Sequence, residues 1–107
     1  MKKLFPLSPR AKVRLMPNVQ LQELDADLVL LDLNRETYFG LDEIGKQMLL
    51  HLEHSATIES AYQQLLTEFE VEPDQLWQDL QQFIKRMINH GLVAVTSAQM
   101  AVLATVG

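Results

Sequence analysis

Cysteine is absent from the sequence, which excludes disulfide staples, thiolate zinc sites, iron–sulfur clusters and thiol nucleophiles together. Stability has to come from packing. Glycine and proline are scarce, four of each in 107 residues, and aromatics make up only 7%, so neither a collagen-like repeat nor a Gly/Pro-rich linker is present. A long hydrophobic run is also missing. The longest uncharged tract, Gly91 to Gly107, is interrupted by Thr96, Ser97, Gln99 and Thr105, and no stretch approaches the ~18 apolar residues of a membrane span. Met1-Lys2-Lys3 has the charge of a secretory n-region, but only Leu4-Phe5-Pro6-Leu7 follows before Pro9, Arg10 and Lys12. That is short of the ~7–15 apolar residues a signal needs. A cytoplasmic protein with no membrane partner is expected.

Positive charge is the other scarcity. Nine Lys and Arg face fourteen Asp and Glu, a formal charge of −5. Five of the nine, Lys2, Lys3, Arg10, Lys12 and Arg14, lie in the first fourteen residues, where no acid occurs. The remaining chain offers only Arg35, Lys46, Lys85 and Arg86. A DNA-docking face needs cations to displace phosphate counterions, so this acidic body argues against nucleic acid. What is present is a 48% apolar content, enough for one small domain with one core. Residues 1–17 read as a basic, flexible N-terminal arm, 18–96 as the folded domain, and 97–107 as an apolar tail, mobile or docked.

From Val19 to Gly40 the pattern is that of strands. Val19 and Leu21 alternate with Gln20 and Gln22, and Asp25-Ala26-Asp27 supplies a turn. Leu28-Val29-Leu30-Leu31 is apolar on both faces, as in a central strand. Asp32 to Glu36 makes the next turn, with Asn34 suited to a left-handed conformation. Thr37-Tyr38-Phe39, ended by Gly40, is a third strand; Tyr38 and Phe39 point to opposite faces, one toward the core and one toward a groove.

The period then becomes helical. Asp42 is an N-cap, and Ile44, Met48, Leu49 and Leu52 share one face of a first helix. Gly45 inside it costs about 1 kcal/mol relative to alanine, so close packing on a strand is its simplest justification. Thr57 caps a second helix with Ala61, Leu65, Leu66 and Phe69 as its stripe. Pro73 opens a third, long helix that Gly91 stops, and Leu92-Val93-Ala94-Val95 is a closing strand. These elements predict an α+β fold: a winged helix-turn-helix with a three-stranded antiparallel N-terminal sheet, three helices and a short C-terminal strand.

Helix three carries two apolar bands, Leu76, Leu80, Phe83 and Met87 beside Trp77, Ile84 and Ile88. Together they span an arc of about 140°, wider than the ~100° that one packing face requires. Either two elements cover it from two sides, or part of it faces a ligand. Catalytic constellations are missing. His51 and His54 at a helix end lack further metal ligands. His90 suits a helix C-terminus, covering Phe83. The serines lie in no nucleophile elbow, and Gly40 and Gly45 make no phosphate loop. Neither an enzyme, a cofactor nor a metal site is expected.

The segment Val29-Leu30-Leu31-Asp32-Leu33-Asn34-Arg35-Glu36-Thr37-Tyr38-Phe39-Gly40-Leu41-Asp42-Glu43-Ile44-Gly45, followed by Thr57-Ile58, Phe69-Glu70-Val71-Glu72-Pro73, then Leu80, Phe83, Ile84 and His90-Gly91-Leu92-Val93, resembles the PqqD-like family of peptide-recognition elements. The resemblance covers about residues 19–95. It implies a non-catalytic adaptor that binds the leader of a precursor peptide and presents it to a maturation enzyme, such as a radical S-adenosylmethionine enzyme or a leader protease and cyclase. It further implies that the leader adds as an antiparallel strand to the edge formed by Arg35, Glu36, Thr37, Tyr38 and Phe39, against a groove drawn from Leu80, Phe83, Ile84, Arg86 and Met87. Unpaired backbone groups give affinity in such an arrangement and alternate pockets give register. The alternative is a winged-helix DNA-binding regulator reading with helix three. An open strand edge is compatible with a monomer or with an edge-paired or swapped dimer.

Overall fold

The computed structural model describes residues 7–96. Five strands and three helices follow one another as β1 (Lys12–Leu15), β2 (Val19–Leu24), β3 (Asp27–Asp32), β4 (Thr37–Leu41), α1 (Glu43–His54), α2 (Ile58–Glu68), α3 (Pro73–Asn89) and β5 (Val93–Thr96). The fold is α+β, with the antiparallel sheet β2-β3-β4 expected from the sequence and a second, two-stranded sheet β1-β5 that was not. Alternation sets which side of the larger sheet is covered. Leu28, Leu30 and Asp32 of β3 are buried and stand opposite Leu41, Phe39 and Thr37 of β4. Val29 and Leu31, half-buried, stand on the outer face opposite Gly40 and Tyr38.

Each helix starts where its local chemistry dictates. Asp42 Oδ1 accepts the Gly45 N–H at 2.9 Å and Thr57 Oγ1 accepts the Ser60 N–H at 3.0 Å, satisfying donors that a helix start leaves unpaired. Pro73 occupies the first turn of α3. Gly91, at φ 73°, reverses the chain after α3, so that the Leu92 N–H reaches the Met87 carbonyl at 3.0 Å and the exit strand folds back. Gly45 has the reason expected of it: an added Cβ there would lie 3.3 Å from Leu41 Cβ, so α1 sits close on the end of β4.

Two expectations need correction. Residues 12–15, read as part of a flexible arm, form β1, because Val13 is buried and the strand pairs with β5 from Lys12↔Thr96 to Leu15↔Val93. Leu7 and Ala11 are buried as well, and the Ala11 and Pro9 carbonyls accept the Ile58 and Glu59 N–H groups at the start of α2. Lys12 is consumed internally: its Nζ donates to the Leu52, Glu53 and Ser55 carbonyls at 3.2, 2.6 and 2.6 Å, closing the C-terminus of α1. Burial, and then Arg14 nearby, lower its pKa. The second correction concerns the β3–β4 turn, where Glu36 at φ 58°, not Asn34, is left-handed. The expected apolar tail, 97–107, lies outside the described residues, as do residues 1–6.

The core collects Leu28, Leu30, Leu49, Leu52, Ile58, Leu65, Leu80, Ile84 and Met87, all fully buried. Both bands of α3 are therefore covered in large part, Trp77 and Ile88 remaining half-buried, with α2 and β5 as the closest neighbours of the helix. No helix among the described residues is long and apolar enough to cross a membrane.

Candidate functional site

Strand β4 pairs with β3 and with no other strand among the described residues. Every second residue of such a strand turns its N–H and C=O outward, leaving an edge that another strand can complete. Beside that edge, α1 and α3 leave an open groove of about 600 Å³. Leu41, Ile44, Met48 and Phe83 supply its apolar surface, and Asp79, Gln82 and Arg86 of α3 its polar side. A smaller hollow of about 300 Å³ lies at the other end of β4, bounded by Arg35, Thr37, Tyr38, Phe39 and His90 among others. Phe39 lines this smaller hollow. Its ring centroid lies 4.6 Å from that of His90, tilted by 56°, and the guanidinium carbon of Arg86, which borders the larger groove, stands over the same ring at 5.4 Å.

The turn leading into β4 is organised by one buried carboxylate. Asp32 Oδ1 accepts from Asn18 Nδ2 at 2.8 Å and from the Asn34 and Arg35 N–H groups at 3.1 and 3.2 Å. The Arg35 N–H above all, helped by Asn18, Asn34 and the Arg35 charge, holds the Asp32 carboxyl below its ordinary range against the opposing cost of burial. Arg35 Nε lies 3.8 Å from Asp32 Oδ2, and its Nη1 donates to the His90 carbonyl at 3.4 Å. Arg35, in the turn before β4, thus joins Asp32 to the C-terminus of α3.

Across residues 27–93 the sequence matches the family model for coenzyme PQQ synthesis protein D, PqqD. The chain belongs to the PqqD family. Among solved structures, TbiB1 in complex with the TbiA(beta) leader peptide is 29% identical, with a TM-score of 0.71 over 75% of this chain and 93% of that one. Lasso peptide synthetase B1 complexed with the leader peptide is 23% identical, with a TM-score of 0.72 over 78% of this chain and 98% of that one, a likeness of fold. No curated protein matches the chain.

The ten residues expected at a PqqD-type site divide into two groups. Arg35, Glu36, Thr37 and Tyr38 are exposed along the edge, Phe39 is half-buried at the smaller hollow, Phe83 borders the groove and Arg86 is exposed beside it. Leu80, Ile84 and Met87 are fully buried; they support the groove from beneath and present no surface to a guest. Of the pair left open by alternation, Phe39 packs toward the core and Tyr38 is 77% exposed. His90 covers Phe39, and not Phe83 as the sequence suggested.

Sequence reasoning missed Ile44, Met48, Asp79 and Gln82 as groove residues. The apolar spacing puts Ile44 on one face with Met48, Leu49 and Leu52, yet it is 56% exposed. The signal was its position: in the first turn of α1 it lies beyond the end of β4, where no strand remains to cover it. Asp42 caps α1 as expected and also borders the groove. His51 contacts Glu68 at 2.9 Å, joining α1 to α2. Among the described residues no group of three or more His, Cys, Asp or Glu side chains converges as a metal site.

Proposed function

We propose that this PqqD-family chain is a non-catalytic adaptor that binds the leader segment of a ribosomally made precursor peptide as a fourth strand on β4. The observation that carries the reading is the unpaired β4 edge running beside an apolar groove closed by α1 and α3. Main-chain pairing along Thr37–Leu41 supplies affinity, and the two hollows along β4 choose alternate side chains. Arg35 to Phe39, Phe83 and Arg86 are the contact residues of the original expectation that this reading keeps, and Leu41, Ile44, Met48 and Gln82 join them. TbiB1, with a related sequence and fold, was solved with a leader peptide, which supports the same use of this chain. The bound precursor is then presented to a separate maturation enzyme, a radical S-adenosylmethionine enzyme or a leader protease and cyclase, in the cytoplasm.

The test is a titration of the isotope-labelled chain with the synthetic leader of a short precursor encoded beside a maturation enzyme. Backbone amides of Thr37–Leu41 and the α3 positions Gln82 and Arg86 are expected to shift together at one stoichiometric site. Shifts confined to a different face overturn the reading. So does modification of the precursor by the purified chain alone. The DNA-regulator alternative is not favoured: the exposed side of α3 carries Asp74 and Asp79 as well as Lys85 and Arg86, which leaves little net positive charge for a major groove.

A further inference from the structure

Cations are few in the folded body, yet two of them stand beside β4, one at each hollow. Of the four Lys and Arg after residue 14, Lys46 is bound to Glu23 at 3.0 Å and to the Asp25 carbonyl at 3.1 Å. Arg35 and Arg86 both stand at the β4 edge. Arg35 is already committed to Asp32 and to the His90 carbonyl. Arg86 is exposed, lies over the Phe39 ring and has no carboxylate within 4.0 Å among the described residues. A guanidinium anchored on an aromatic face, with its fork unpaired, matches a planar carboxylate. The groove also has a polarity, because Asp79 stands about two helical turns before Arg86 on α3 and lines the same hollow.

Resting on the strand-addition reading above, we infer that the guest peptide carries an aspartate or glutamate two residues after the apolar side chain that fills the groove, and that Arg86 receives it. The order follows from pleat and direction. Leu41, Phe39 and Thr37 are the residues of β4 on the covered face of the sheet, and an antiparallel guest meets them in that order, two residues apart. A guest side chain opposite Leu41 enters the hollow of Ile44, Met48 and Phe83. The next side chain on the same face comes opposite Phe39 and arrives beside Arg86. A lysine there meets Arg86 and the Arg35 charge and is rejected; an amide fits the space without the charge.

The probe is a displayed library of short random peptides, selected on the full chain and in parallel on R86Q and R86K. Peptides enriched on the wild type are expected to share an apolar residue followed two positions later by Asp or Glu. Changing that acid to its amide in a synthetic copy is expected to weaken binding to the wild type about fivefold, the scale of a partly covered surface ion pair. The same change is expected to leave R86Q affinity unaltered, with R86K intermediate. Wild-type binders that shift the Thr37–Leu41 amides but carry no acid at that spacing overturn the inference and leave the strand-addition reading standing. An acid-to-amide penalty equal on wild type and R86Q does the same. Enriched peptides that leave those amides unmoved, or the absence of any enriched peptide, overturn the reading and the inference with it. Unchanged melting temperatures for R86Q and R86K, expected of an exposed site, confirm that the comparison is between folded proteins.

Discussion

Asp32 is the residue on which the site geometry turns. It is 4% exposed, and three donors converge on one of its oxygens. Because its folded pKa lies below the ordinary 3.8, its contribution to stability is complete above that value and is lost as pH falls through the depressed one. Asp32→Asn is therefore expected to lower the melting temperature at neutral pH and to flatten its decline on acidification; melts between about pH 2 and 7 check both. Glu36 presents the opposite case. At φ 58° it holds a left-handed conformation that costs a side-chain-bearing residue about 1 kcal/mol. Glu36→Gly is expected to raise stability by about that amount in denaturant titrations.

Among the elements, β4 is the one proposed to work by its backbone. The Leu33 N–H bond to the Asn18 carbonyl fixes the alternation of the ladder, so that Thr37, Phe39 and Leu41 bond to β3 while Tyr38 and Gly40 turn their N–H groups outward. Proline at Tyr38 is expected to reduce leader affinity more than Tyr38→Ala, which leaves the main chain intact; calorimetric titration alongside thermal melts separates binding from folding. Strand β1 has a structural duty. Lys12→Met leaves three carbonyls at the end of α1 without their charged donor, and a loss of about 1–2 kcal/mol is expected by chemical denaturation. A freely moving arm would show none. The helices, their caps and β2 to β4 were legible in the sequence because each is signalled within a few neighbouring residues: Asp42 before α1, Thr57 before α2, Pro73 in α3, alternation in β2. Strand β1 was not, since its four residues acquire a partner only from β5, about eighty positions later. No local period announces such a pairing.

At the scale of the molecule, charge decides which kinds of guest are compatible. The acidic chain, at −5 overall, repels polyanions while offering a cationic spot at the β4 edge. Leader binding is expected to change by no more than a few-fold between about 50 and 200 mM salt, whereas a phosphate-tracking mode would lose orders of magnitude; titration at the two salt concentrations distinguishes them. Local patterning by itself determined the order and kind of nearly all the elements, because helix and strand periods, caps and turn residues act over a few positions. Which apolar residues remain for a guest was decided only by tertiary packing. Leu80, Ile84 and Met87 share the hydrophobic character of Ile44, yet the first three are fully buried in the common core while the last, in the first turn of α1, is 56% exposed. Exposure depends on what lies opposite in space, and that is set by the meeting of distant segments.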